Sequence, residues 1–294
     1  KDQKFIIKVF NNTSNSAIIN NVEWNNINEI NSSDKADYII AMSDANLFEK
    51  ISSKNNFLWS HSIQSFEKFI RKKQLIPFIK YKPQMILEGN YHRKTRSFIT
   101  SFFGKNVLKI APDDDFIKTN INTNIIPEPN AIFTTKSDRN LDFLLDAWHQ
   151  IKKISMKSKL FINPPYTLTE ANIKDHIFLR EMGDKKLLIK DLINSKVFIT
   201  PGHKTEVFCL AAEEARELCI PIVTMGYGCL YERVEHNKTG FIAKNKKEFI
   251  NYTSQILNDN EIYLEFKKNL ILKKNSRNYN DVKNDLIKML KLYD

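Results

Sequence analysis

Short apolar runs that alternate with helical stretches constrain this chain more than any other feature of it. In the first part, "FIIKVF", "ADYIIAMS", "NNFLWSHS", "PQMILEG" and "NVLKIAP" read as strands, rich in Ile, Val and Phe and bounded by Asn, Asp, Ser or Pro. Such alternation predicts a parallel sheet with crossover helices. Residues 113–130, "DDDFIKTNINTNIIPEPN", break the rhythm with polar residues and two prolines, and read as a linker. The pattern then restarts with "AIFTT", "KLFINPP", "HIFLREM", "KVFITPG", "IPIVTMG" and "TGFIAK" as strands. "DRNLDFLLDAWHQIKKI" reads as a helix, with Leu141, Leu144, Leu145, Trp148 and Ile151 at helical spacing after Asp138 as N-cap. The stretch from Lys246 onward is helical and basic. The expectation is an α/β chain of two Rossmann-like domains, 1–126 and 127–294, facing each other across a cleft. Its last helix is free to pack back on the first domain.

Composition narrows the function classes. The 294 residues are 42% hydrophobic and 11% aromatic, which is globular and long enough for two cores. No run approaches the roughly 18 apolar residues of a membrane span, and "KDQKFIIKVF" lacks a leader's apolar core. Cys209, Cys219 and Cys229 are odd in number and ten apart, with no CxxC pair, so neither a zinc site nor a disulfide framework is indicated. A reducing cytoplasm is the expected setting. The net charge of +11 comes from lysine spread along the chain, which indicates solubility and not nucleic acid. One cluster stands out. Residues 65–83, "SFEKFIRKKQLIPFIKYKP", interleave Lys68, Arg71, Lys72, Lys73, Lys80 and Lys82 with Phe66, Phe69, Phe78 and Tyr81. They read either as a solvated helix with its apolar face on the core or as a weak docking surface for anionic lipid or an anionic acceptor.

"TEVFCLAAEEARELCIPIVTMG", residues 205–226, poses the sharpest question. Read as strand "KVFIT", turn "PGHK", helix "EVFCLAAEEARELC" and strand "IPIVTM", it is one βαβ unit with Glu206 at the helix start. Eight residues of helix give about 12 Å of rise and about 80° of rotation, which places Glu214 on roughly the same side. Such a pair suits a ligand with hydroxyls at both ends and an anion between them, held by the amides of residues 207–210. Spacing alone favours first-turn dipole compensation at Glu206 and a solvated face at Glu214.

The longer stretch "TPGHKTEVFCLAAEEARELCIPIVTMGYGCLYERVEHNKTGFIA" resembles the donor-site signature of the glycosyltransferase group 1 family, retaining enzymes of the two-Rossmann GT-B fold. The matching residues are Pro201, Glu206, Glu214 with Ala215, Pro221, Gly228, Glu232 and Thr239–Gly240–Phe241. "FTTKSDRNLDFLLDAWHQI" is similar to the first strand and helix of the family's second domain. The first half resembles the family only thinly, as a short first domain.

The resemblance implies a set of roles. Glu206 holds the donor sugar and Glu214 the ribose. Amides at Phe208, Cys209 and Leu210 steady the sugar and diphosphate, and a glycine is usual where Cys209 stands. Lys136 and Arg139 neutralise the leaving diphosphate, in the reverse of the family's usual Arg-then-Lys order. His61, at the end of "FLWSHS", faces the sugar from the first domain. Main chain around Arg180 and Met182 reads the base, while Tyr91, His92, Arg93 and Lys94 line the acceptor side. The family's glycine-rich first turn is missing, since no glycine precedes Gly89. Either "VFNNTSN" replaces that turn, or the loop lies upstream of Lys1, or the first domain is trimmed.

The implied activity is metal-independent, retaining hexosyl transfer from a nucleotide diphosphate sugar to a glycan, lipid-linked or surface-polysaccharide acceptor. No cofactor and no nucleic-acid partner are expected. The alternative is a nucleotide-sugar-binding or epimerase-like protein of the same fold that does not transfer.

Overall fold

The computed structural model describes residues 5–31, 34–104 and 106–291. The termini of the expected domains, Lys1 and Asp294, lie outside them. By its internal contacts the chain divides into two compact units, residues 1–87 with 96–106 and residues 88–95 with 107–294. Residues 88–95 and 107–126, read from sequence as part of the first domain, therefore pack with the second.

The first unit contains two sheets. A small sheet is ordered β1 (Lys8–Asn11), β3 (Val22–Asn26), β2 (Ala17–Ile19), with β1 parallel and β2 antiparallel to β3. "FIIKVF" thus opens a separate sheet and not the main parallel one. The cause is the connection between β2 and β3, where Asn20 and Asn21 both take positive φ, 53° and 61°. That two-residue turn closes a hairpin, and asparagine tolerates the left-handed region better than most residues. The second sheet is ordered β4 (Tyr38–Met42), β5 (Asn55–Trp59), β6 (Gln84–Leu87), β7 (Asn106–Val107). Its core joins Ala41, Leu58, Met85 and Leu87 to Phe69 of α1 (Phe66–Arg71) and Phe78 of α2 (Leu75–Tyr81). Two further short helices follow β6, α3 (Asn90–Thr95) in the second unit and α4 (Phe98–Ser101) in the first.

The second unit is a six-stranded sheet covered on both faces. Its strands are β8 (Asn130–Phe133), β9 (Lys159–Ile162), β10 (Ile177–Leu179), β11 (Val197–Thr200), β12 (Ile222–Thr224) and β13 (Gly240–Ile242). Their order is β10-β9-β8-β11-β12-β13, and every pairing is parallel. Alternate residues of each central strand go to opposite layers, as a period of two requires. Phe133, Ile199 and Val223 face a layer with Leu144, Trp148 and Ile151 of α6 (Leu141–Ile154). Ile132, Phe198 and Ile222 face the other layer. There they meet Phe116 of α5 (Asp114–Lys118), Ile189 and Leu192 of α8 (Lys185–Ile193), and Ala212 and Ala215 of α9 (Leu210–Glu217). Between β9 and β10 lies α7 (Glu170–Lys174). The chain then runs through α10 (Lys246–Asn258), α11 (Asn260–Leu272) and α12 (Tyr279–Leu290). Phe249 of α10 and Phe266 of α11 join the first layer.

Two local expectations are corrected. The N-cap of α6 is Asn140 at φ 63°, not Asp138. Residues 113–118 are no mere linker. Asp113 caps α5 by accepting from the Asp115 N–H, and Phe116 is sealed in the core at 1% exposure. Phe116→Ala is therefore expected to destabilise the second unit by about 3–5 kcal/mol, the usual cost of emptying a buried phenylalanine site. Urea denaturation followed through Trp148, which lies in this unit, measures it. An unchanged transition would place residues 113–118 outside the core.

Candidate functional site

The strand order reverses direction between β8 and β11, since β9 and β10 lie beyond one and β12 and β13 beyond the other. Loops leaving the carboxyl ends of such a pair diverge and leave a crevice, the usual ligand position in open parallel sheets. Two loops lead out of it here, residues 134–140 after β8 and residues 201–209 after β11.

The two loops are bonded to each other. Arg139 Nε lies 2.6 Å from Glu206 Oε2, and its Nη1 donates to Thr205 Oγ1 at 3.2 Å. Both side chains are mostly buried, 23% and 17% exposed. The Asn140 amide donates to the Gly202 carbonyl and closes the base of the crevice. Gly202 takes φ 84°, a conformation that favours glycine, and a Cβ there would also displace Leu230 Cδ1, 2.2 Å away. Gly228 is under the same constraint, because a Cβ there would meet the His203 and Glu206 carbonyls at 2.5 and 2.6 Å. The Cys229 N–H donates to the Glu206 carbonyl at 2.9 Å. Glu206 is thereby fixed from both sides.

Helix α9 begins at Leu210, four residues after Glu206. The expected placement of Glu206 at the helix N-terminus is corrected. The Glu206 N–H instead closes a turn onto the His203 carbonyl, and Cys209 at φ 56° then swings the chain into the helix. The left-handed conformation at Cys209 is one that favours glycine. Burial pushes the Cys209 thiol up to about 12, so it stays protonated. Phe208 is buried with the Arg233 guanidinium 4.3 Å from its ring, and Leu210 is 39% exposed.

Glu214 sits elsewhere on α9, in the electrostatic company of Asp113 and Lys185, which pair with each other. Burial, reinforced by the Asp113 charge and offset by Lys185, raises its carboxyl from 4.5 to about 7.

The other sequence candidates are scattered. Lys136 is exposed on the β8 loop, and its carbonyl accepts from the Arg139 N–H. Arg180 is buried and engaged, with Nε 2.9 Å from Asp191 Oδ2 and Nη1 bonded to Asn163, while its N–H donates to the Ile162 carbonyl. Met182 is 63% exposed. The Tyr91 N–H donates to Glu232, its hydroxyl donates to the Lys204 carbonyl, and its ring meets Tyr231 edge-on. These bonds fix Tyr91 structurally, and Arg93 and Lys94 are exposed on the same helix. His92 is buried. His61 follows β5 in the first unit, exposed, with its ring 5.4 Å from Trp59. Sequence reasoning missed Thr205 and Asn140. An asparagine just before a helical run was a usable sign of a left-handed cap.

A doubly wound parallel sheet with a cation and a carboxylate joined across its switch point has its ligand crevice there. Residues 134–277 match the family model for glycosyl transferases group 1, and so carry that family's pattern. No curated protein matches the chain in sequence. Among solved structures the chain is similar to S. aureus TarM, with TM-score 0.62 and 16% identity over 82% of this chain and 51% of that one. It is also similar to the pneumococcal O-GlcNAc transferase GtfA, with TM-score 0.64 and 11% identity over 87% of this chain and 57% of that one. For Anabaena HepE the TM-score is 0.67 and the identity 14%, covering 87% of this chain and 77% of that one. The fold is that of GT-B glycosyltransferases, and the chain spans about half the length of TarM.

The raised carboxyl of Glu214 has a consequence for stability. Between pH 4.5 and about 7 the folded state holds a proton that the unfolded chain has released. Stability therefore falls as pH rises through that window and levels off above it. Relative to Glu214→Gln, wild-type protein is expected to lose on the order of 2–3 kcal/mol between about pH 5 and about pH 8. Denaturant titrations at both pH values measure it, and parallel curves for the two proteins would contradict the burial of this carboxyl.

Proposed function

We propose that this protein is a retaining glycosyltransferase that moves a hexosyl group from a nucleotide diphosphate sugar to a glycan or lipid-linked acceptor. The observation that carries the reading is the Arg139–Glu206 pair, which ties the loops after β8 and β11 at the switch point. Arg139 has five donors in a rigid fork, and the bonds to Glu206 and Thr205 leave others for a diphosphate. With Lys136 on the same loop, it offsets the charge that builds on the leaving group, so no metal ion is needed. Glu206 accepts from hydroxyls of the sugar. Glu214, further along the same chain segment, accepts from the ribose. The solved structures of HepE with UDP and glucose, and of GtfA with UDP and GlcNAc, support a nucleotide-sugar donor.

Arg139→Ala and Glu206→Ala are expected to lower transfer kcat/KM by on the order of 1.5–3 kcal/mol each, with Glu206→Ala acting mainly on kcat. Glu214→Ala acts mainly on donor binding. A radiolabelled-donor assay run in chelator measures all three. Wild-type kinetics in every variant, or loss of wild-type transfer in the chelator, would refute the assignment.

The acceptor is proposed to be reached at the inner face of a membrane. Among the described residues no helix is long and apolar enough to cross one. Residues 65–83 fold into α1 and α2, which bury Phe69 and Phe78 and leave Phe66, Ile70, Ile76 and Ile79 exposed among the basic residues. Ile76 is the most open of these, at 75%. Each basic residue near an anionic surface contributes about 1 kcal/mol. Co-sedimentation with anionic vesicles is expected, falling sharply in Lys72→Glu/Lys73→Glu protein. Equal binding to neutral vesicles would leave these helices as an ordinary solvated surface.

A further inference from the structure

A cavity of ≈ 460 Å³ lies within the second unit, lined by Lys109, Arg216, Arg233, Lys273 and Arg277 together with three carboxylates, Glu213, Glu232 and Glu235. Phe208 also lines it, so it adjoins the loop after β11, but neither Glu206 nor Glu214 is part of it.

The carboxylates do not neutralise the cations. Glu213 is shared, 2.9 Å from Arg216 Nη1 and 3.3 Å from Arg233 Nε. Glu232 is committed to the Tyr91 N–H. Glu235 pairs with Lys273 in an exposed contact, which water and salt weaken. Arg277 is held by Asp285 and by the Lys109 carbonyl. With Asp285 counted beside the three lining carboxylates, five cations face four carboxylates, which leaves an excess of one positive charge. Arg216 also keeps a buried Nε–H with no hydrogen-bond partner among the described residues, and an unmet buried donor is costly.

We infer that this cavity binds a small, multiply charged phosphate compound, such as a diphosphate or a sugar phosphate. The volume suits a molecule of that size, and guanidinium groups match phosphate oxygens two at a time. Arg233 connects the cavity to the donor loop, since its Nε donates to the Phe208 carbonyl at 3.0 Å and its guanidinium covers the Phe208 ring. A ligand that engages Arg233 thus bears directly on the stretch that sets Cys209 and the start of α9. The inference stands independently of the proposed donor site.

Calorimetric titration of the full chain with inorganic pyrophosphate tests it. A site is expected that persists in Lys136→Ala/Arg139→Ala protein and weakens at least about tenfold in Lys109→Glu/Lys273→Glu protein, as loss of charge-assisted contacts implies. Both lysines are partly exposed, so thermal unfolding of the second variant should match wild type. Unchanged affinity in that variant, or no pyrophosphate binding at all, overturns the inference. Binding abolished by Lys136→Ala/Arg139→Ala alone also overturns it and leaves the donor reading standing. A single site lost only in the lysine variant supports the cavity and counts against the donor reading.

Discussion

The pairing of β8 with β11 is the constraint on which the second unit depends. Ile132 and Phe198 seal one face of that pair, while Phe133 and Ile199 seal the other, so neither strand can slip without exposing a full set of side chains. Because the chain leaves the two strands in opposite directions, their loops meet only through side chains. Arg139, Asn140, Thr205 and Glu206 make that connection.

Positioning within the crevice depends on shape as much as on charge. Gly202 and Gly228 bring the loops after β11 and β12 together, and a Cβ on Gly228 would collide with the His203 and Glu206 carbonyls. The turn they permit holds Glu206 by its own carbonyl, through the Cys229 amide. Arg139 holds the carboxylate itself, so both the backbone and the side chain of Glu206 are restrained before any ligand arrives. That is the physical meaning of a signature in which glycines and glutamates recur together.

Much of this was legible in the sequence, and what was not has physical reasons. The strand positions of the second unit and the buried face of α6 follow from periodicity, whereas the bond between Arg139 and Glu206 did not, because it joins residues far apart in the chain. The start of α9 did not follow, because Cys209 adopts a conformation for which cysteine gives no sign. Asp113 beside Lys185 and Tyr91 on Glu232 join residues far apart in the chain, and no local pattern encodes such contacts. The hairpin at Asn20 and Asn21 was a different case. Two consecutive asparagines are a local sign of such a turn, but the βα rhythm of the flanking runs fits a parallel strand equally well.

The hold of Glu232 on the start of α3 has a topological consequence. Residues 88–95 belong to the second unit although the chain on both sides of them belongs to the first. The polypeptide therefore passes between the units at three places, after residues 87, 95 and 106. No single cut separates the molecule into its halves. A fragment beginning at residue 107 would leave the Glu232 carboxylate and the Tyr231 ring without the partners they meet on Tyr91. Chain connectivity alone thus ties the two units together at three points.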